Sequence, residues 1–369
     1  MPEVKSSENG GKDNSSVTKA GDSSLSDAWP MVAVIVAFTV FISSNIGLTE
    51  FNSWALKEDQ WPGFHFAFFY TMFHALVSFL FSYCLSVCVV KPDLGPPSFE
   101  QLWKYKLAVV PMALCTTINN GLNNASLSMV SLFVNQSIKA ILPAPVMLFS
   151  CLLAGSRFKA PRIATVLIIC VGSVLASYYK ISMSHTTNSI LGVFVCTVSM
   201  LGGAFRPVIA MMFMKDSPTH PKLHPTVFLC YDTGLSFIMM TTLWVADWKG
   251  CTESIAYMAD PNTTGVGIAI ILTGSAIAFF FNLSQYYAIK LSSALTITIG
   301  SAVVKITLLI ASAVQAEVDD PVSWSGVGIV VIAIVAYSFI SYTEKPDAPS
   351  KDAKQAAAPS EKTPLNVKP

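Results

Sequence analysis

The sequence predicts an all-α integral membrane protein whose ten transmembrane helices form two inverted five-helix repeats. Three observations predict it: the composition, a series of apolar stretches of span length, and the placement of Lys and Arg between them. Of 369 residues 53% are apolar and 12% charged, where soluble domains run at about 45–50% and about 25%. The charges also crowd the ends. Residues 1–27 and 344–369 hold 8 and 9 of the 45 charged residues, and 28 are spread over the 316 residues between them. That pattern excludes an ordinary soluble enzyme.

In chain order, residues 1–27 are rich in Ser, Gly, Asn and Lys, with five acids, three lysines and no Arg. They predict a disordered cytosolic tail, not a signal or transit peptide, so the first apolar segment should itself direct insertion. A span needs about 20 mostly apolar residues. Segments near 29–49, 64–90, 107–125, 129–154, 161–179, 189–214, 224–246, 265–289, 293–315 and 323–342 meet that measure. The third and fourth meet at the polar seam NNGLNNASLS. Residues 344–369 predict a second disordered tail. The first repeat is expected over 28–180 and the second over 188–343. An odd repeat length forces opposite orientations, the arrangement of transporters with a midplane site.

Short cytoplasmic loops carry the excess of Lys and Arg. Ten spans put both tails on one side, which then collects Lys5, Lys12, Lys19, Lys91, Lys104, Lys106, Arg157, Lys159, Arg162, Lys215, Lys222, Lys290 and five lysines of the C-terminal tail. The other side has Lys57, Lys180 and Lys249. Seventeen against three predicts both termini in the cytosol.

Three basic residues remain, Lys139, Arg206 and Lys305, each well inside a predicted span. A cation at the bilayer centre costs about 2.5–3.5 kcal/mol or more. Asp232 in the seventh span is the one clear buried acid to offset them, with Glu50 and Asp247 at span ends within reach of snorkelling side chains as the structural alternative, and one acid does not neutralise three cations. The remaining charge predicts a cavity completed by an anionic solute, with Lys as a point charge and Arg as a bidentate fork. Lys139 on span four and Lys305 on span nine occupy equivalent helices of the two halves. Around them Asn119, Asn120, Asn123 and Asn124, Gln136, Ser293 and Thr296 offer hydrogen bonds. Tyr231, Tyr286 and Tyr287 offer stacking faces for a base. Pro143, Pro207 and the Gly202-Gly203 pair mark kinks or close packing. The eight cysteines show no CxxC pair and no zinc spacing, and read as small buried hydrophobes. The five histidines are scattered, with no HExxH or GxSxG, so neither an enzyme nor a metal or other cofactor is expected.

The segment NNASLSMVSLFVNQSIKAILPAP resembles the N-x-S-L-x-x-V-S-V-S-F-x-Q-T-I-K-A-x-x-P segment of the triose-phosphate and nucleotide-sugar translocator branch of the drug/metabolite transporter superfamily. That match places Asn124, Gln136, Lys139 and Pro143 on characteristic positions. WPGFHFAFFYTMFH is similar to the branch's second-helix stretch and places His74 on its histidine. GGAFRPV resembles S-A-x-R-x-V and places Arg206. FNLSQYYAIKLSSALTITIGSAVVK resembles the passage that leads into helix nine and places Lys305. The likeness spans roughly 30–343 and implies the drug/metabolite transporter fold and an antiporter. Plastid phosphate translocators carry Lys-Arg where this chain has Lys305-Ile306. GDP-mannose transporters carry G-A-L-N-K where Val304 replaces the Asn, and no F-Y-N-N occurs here.

Together these readings predict an exchanger of phosphorylated sugars, foremost a nucleotide sugar against a nucleoside monophosphate, in a Golgi or ER membrane. The rival is a sugar-phosphate/inorganic phosphate or organic-anion exchanger. The expected binding residues are Lys139, Lys305, Arg206, Gln136, Asn124, Asn120, His74, Tyr231, Tyr287, Ser293 and Thr296. The expected partners are a small anionic substrate, its counter-substrate and the bilayer, with no nucleic acid. The orientation is testable by glycosylation. The sequon Asn262-Thr263-Thr264 falls in a predicted lumenal loop and Asn14-Ser15-Ser16 in the cytosolic tail. Deglycosylation should therefore shift the mobility of the wild type but not of Asn262→Gln, and glycan on Asn14 would contradict the topology.

Overall fold

The computed structural model describes residues 23–57, 61, 63–90, 95–183, 187–214, 223–291 and 294–343. Every regular element there is a helix, because apolar runs in lipid must satisfy each backbone N–H and C=O within the segment. In order they are α1 (Ser23–Ala55), α2 (Ala67–Leu85, running on into a π-helical turn over Ser86–Val90), α3 (Phe99–Lys104), α4 (Lys106–Met129), α5 (Leu132–Ala140) and α6 (Pro143–Ala154). Then come α7 (Ala160–Met183), α8 (Thr187–Met214), α9 (Pro225–Ala246), α10 (Trp248–Ala259), α11 (Thr264–Leu291), α12 (Ala294–Gln315) and α13 (Pro321–Thr343).

Among the described residues eight segments are long and apolar enough to cross a membrane: Val32–Ala55, Ala67–Val90, Leu132–Leu153, Ala160–Tyr178, Ile190–Ala210, Pro225–Ala246, Thr264–Lys290 and Pro321–Ser341. The other two expected spans are present as helices outside that set. α4 carries four asparagines, Ser126 and Ser128 in its second half, and in α12 the described side chains begin at Gly300, which leaves Gly300–Gln315 as a shorter apolar stretch.

The seam between the third and fourth segments lies elsewhere than expected. α4 runs straight through NNGLNNASLS to Met129, and the chain turns at Val130, an extended residue at φ −125°. Ser131 then caps α5, its hydroxyl accepting from the Val134 N–H at 3.4 Å. The asparagines stay helical because they bond one another and neighbouring helices instead of their own backbone.

The fourth segment is broken. Pro143 has no N–H to continue the ladder. The amides of Ile141 and Leu142 close instead on the carbonyls of Ile138 and Lys139, both at 3.1 Å. Lys139 thus sits in the last turn of α5, where the carbonyl end of a helix favours a cation. Two helices have no counterpart in the sequence reading. Ser98 caps α3 through the Gln101 N–H at 3.3 Å, and the Asp247 carboxylate caps α10 through the Gly250 N–H at 3.3 Å. Their Trp103 and Trp248 are exposed.

α1 packs with α11, α4 with α8, α2 with α9, α5 with α12 and α7 with α13. Small residues permit the close approaches. A Cβ on Gly203 of α8 would lie 2.6 Å from the Asn119 Oδ1 of α4. A Cβ on Gly326 of α13 would run into the backbone of Ala176 on α7, whereas one on Gly328 would meet nothing within 4 Å. The cysteines are all free, but only Cys196, Cys230 and Cys251 are buried. Cys84, Cys88 and Cys151 lie on outer faces, which corrects the reading of all eight as core residues: an outer face toward lipid accepts a small apolar side chain as readily as the core does.

Gly326→Ala and Gly328→Ala make a matched test. Ala is the better helix former by about 0.8–1.0 kcal/mol, so Gly328→Ala should leave thermal stability in detergent equal or higher. Gly326→Ala should lower stability by about 1–3 kcal/mol through overpacking, and equal melting temperatures for the two variants would contradict this helix contact.

Candidate functional site

Two chambers lined by intramembrane cations lie among the described helices. The larger, about 260 Å³, is lined in part by Lys139, Arg206 and Lys305, so α5, α8 and α12 bring the three intramembrane cations to one space. The smaller, about 100 Å³, is lined largely by neutral amides and hydroxyls, including Asn120, Asn124, Thr116 and Asn282, together with His74. Asn45, Asn119, Lys139 and Phe281 line both. The chambers therefore adjoin, with the Lys139 side chain at their junction. No Asp or Glu lines either one among the described residues.

The cations differ in what holds them. Arg206 is 4% exposed, and its Nη2 donates to Asn282 Oδ1 at 2.9 Å and to the Tyr286 hydroxyl at 3.2 Å. The same nitrogen is 3.5 Å from Asp232 Oδ2. Asp232 is fully buried and also accepts from the Tyr286 hydroxyl at 2.7 Å and from Thr116 Oγ1 at 3.1 Å. Arg206 is thus the cation that the one buried acid neutralises. Pro207 beside it leaves the carbonyl of Gly203, on the chamber wall, without its usual helical donor. Lys139 and Lys305 make no hydrogen bond or ion pair among the described residues. They share the chamber and each lies within the other's Coulomb field.

The neutral chamber has its own scaffold. The Tyr70 hydroxyl donates to Asn52 Oδ1 at 2.8 Å, and Asn52 Nδ2 donates to Asn124 Oδ1 at 3.0 Å. Asn124 Nδ2 then donates to Thr71 Oγ1 at 2.9 Å. Both ends of the Asn124 amide are therefore engaged between α1 and α2. Buried His74 packs on Tyr70, ring centroids 3.9 Å apart, and its Nε2 has no hydrogen-bond partner. Asn120 accepts from Asn119 Nδ2 at 3.0 Å on the chamber wall.

The remaining expected residues lie away from both chambers or outside the description. Gln136 is buried behind the wall, its Nε2 donating to Asn135 Oδ1 at 3.1 Å. Asn135 in turn ties α5 to α4 through Asn123 and Ser126, at 3.2 and 2.7 Å. Tyr231 does not offer a free ring: its hydroxyl accepts from the Ser98 N–H at 2.8 Å and faces the Ser98 carbonyl and Gln101 Oε1 at 2.8 and 3.0 Å. Tyr287 packs edge-on to His224, 6.0 Å between centroids, while its neighbour Tyr286, about 100° round the helix, joins the Arg206 network. Ser293 and the side chain of Thr296 lie outside the described residues.

Among the lining residues that escaped the sequence reading are Asn45, Asn282 and Gln285, whose buried Oε1 has no partner. The signal was there in SSNIG and NLSQYY, polar residues inside apolar runs, but it does not tell lining from helix contact.

Residues 32–338 match the model of the Triose-phosphate Transporter family. Among curated relatives, a probable sugar phosphate/phosphate translocator of Arabidopsis thaliana is 23% identical over 84% of this chain and 82% of its own length. A GDP-mannose transporter of the same plant is 20% identical over 87% and 89%, and its UDP-uronic acid transporter 1 is 25% identical over 80% and 91%. The family match takes in every helix that brings Lys139, Arg206 and Lys305 together, and this multi-pass membrane protein belongs to the Triose-phosphate Transporter family.

Proposed function

We propose that the protein is an antiporter of phosphorylated sugars working by alternating access, foremost of a nucleotide sugar against a nucleoside monophosphate. The observation that carries this reading is the pair of lysines, Lys139 and Lys305, that face one chamber without a carboxylate. Unpaired cations away from water are costly, and phosphate oxygens supply what the protein withholds. The adjoining amide-lined chamber suits the hydroxyls of a sugar or the edge of a base. Closing the empty cavity would strand two ammonium groups, which gives a physical reason for exchange in place of one-way leak. No chemical conversion is assigned.

Ten spans in two inverted repeats, over 28–180 and 188–343, are supported by the helix pairing. Counting α5 and α6 as one span, replacing each span by the one five later turns the α1–α11 pair into the α8–α4 pair. The same operation maps α2–α9, α5–α12 and α7–α13 onto themselves. Lys139 and Lys305 are then carried by counterpart helices on either side of the pseudo-twofold axis. The Lys and Arg distribution supports cytosolic tails, and the likeness to nucleotide-sugar transporters supports a Golgi or ER membrane.

Sugar-phosphate/inorganic phosphate exchange is the second reading. It is favoured by the first relative named above and by the structure's placement of Tyr231 and Tyr287, neither of which offers a base a stacking face on the chambers.

Exchange in liposomes decides between them. Inhibition by nucleoside monophosphate supports the first reading and inhibition by inorganic phosphate alone the second. In either case Lys139→Gln and Lys305→Gln should each lower exchange about tenfold or more, about 1.4 kcal/mol, while thermal stability holds or rises. Undiminished exchange in both variants would remove the basis of the proposal.

A further inference from the structure

We infer that Asp232 sets the charge of the anion that the cavity accepts, by cancelling Arg206 from behind the chamber wall. The inference rests on the proposed reading of the cavity as an anion site. Asp232 lines neither chamber and is fully buried. Its Oδ2 lies 3.5 Å from Arg206 Nη2 and is held there by the Tyr286 hydroxyl at 2.7 Å and Thr116 Oγ1 at 3.1 Å. Arg206 is clamped in turn by Asn282 and Tyr286. Four helices, α4, α8, α9 and α11, thus fix the pair in place.

The consequence is arithmetical. The chambers are lined by three cations and no carboxylate among the described residues. With Asp232 ionised beside Arg206, the net charge facing the cargo is that of Lys139 and Lys305 with both ammonium groups protonated, two positive. That matches a doubly charged anion, such as a phosphate monoester at neutral pH, which carries about −1.5 to −2. Without Asp232 the cavity would present three positive charges and favour cargo with one more negative charge. Asp232 is a positioning and charge-selecting residue that touches cargo only through Arg206. A purely structural role would give the same buried pair, so charge preference, not activity, is the reading that separates the two.

The test uses the full chain in liposomes and two matched pairs of competitors that differ by about one charge: dihydroxyacetone phosphate against 3-phosphoglycerate, and UMP against UDP. Wild type should prefer the less charged member of whichever pair it binds. Asp232→Asn should shift that ratio toward the more charged member by about tenfold or more, and Asp232→Glu should keep the wild-type ratio. The double variant Arg206→Gln/Asp232→Asn removes the pair without leaving a lone charge and should also restore the ratio. It carries the test alone if Asp232→Asn does not purify folded, and an altered ratio in it would then overturn the inference. Continued exchange with an unchanged ratio in Asp232→Asn would overturn the role of Asp232 and leave the carrier reading intact. Wild type inhibited by none of the four compounds would overturn both.

Discussion

The cost of an uncompensated charge at membrane depth governs this structure. Three cations stand inside the spans, and among the described residues one acid is buried with them. Asp232 goes to Arg206, whose planar guanidinium can be clamped by several oxygens at once. Tyr286, Asn282 and Thr116 complete that cluster. The two lysines are left to the cavity, and an ammonium on a flexible stem is suited to a partner that comes and goes.

The rest of the fold arranges itself round that allocation. The broken fourth segment ends α5 at Ala140 and leaves Lys139 in its last turn, where the helix dipole favours a cation. Asparagines on α1, α4, α5 and α11 keep their polar groups inward, since lipid offers none of their hydrogen bonds a substitute. Some of them are spent on one another: the chain from Tyr70 through Asn52 and Asn124 to Thr71 joins α1, α2 and α4. Glycines at the α4–α8 and α7–α13 contacts bring the helices into close approach. Tyr231 fastens the segment before α4 to α9 through Ser98, and its neighbour Asp232 neutralises Arg206.

Much of this was legible in the sequence because charges in apolar runs are rare and each one stands out. Lys139, Arg206, Lys305 and Asp232 were all visible that way; the structure brings the three cations to one chamber and sets Asp232 behind Arg206. Helix existence was equally plain. The direction a residue faces was not, since one position along a helix turns the side chain by about 100°. Tyr286 and Tyr287 therefore read alike, yet one holds Arg206 and the other packs on His224. Asn124 and Asn120 also read alike, but the first is engaged at both ends of its amide. α3 and α10 were missed because short amphipathic helices at span ends carry no run of apolar residues. The sequence ends the third segment near 125, short of Met129, because the polar seam lowers the hydropathy there, while its asparagines find partners across the bundle.

The central claim is that Lys139 and Lys305 must be matched by an anion before the cavity closes and turns. It is tested most directly by uptake of labelled UMP and labelled inorganic phosphate into liposomes that are either loaded with the same unlabelled anion or empty. The account predicts rapid uptake of at least one of them into loaded liposomes and little into empty ones. Equal rates in the two preparations would mean that the empty carrier turns freely with its lysines unmatched, and would contradict it.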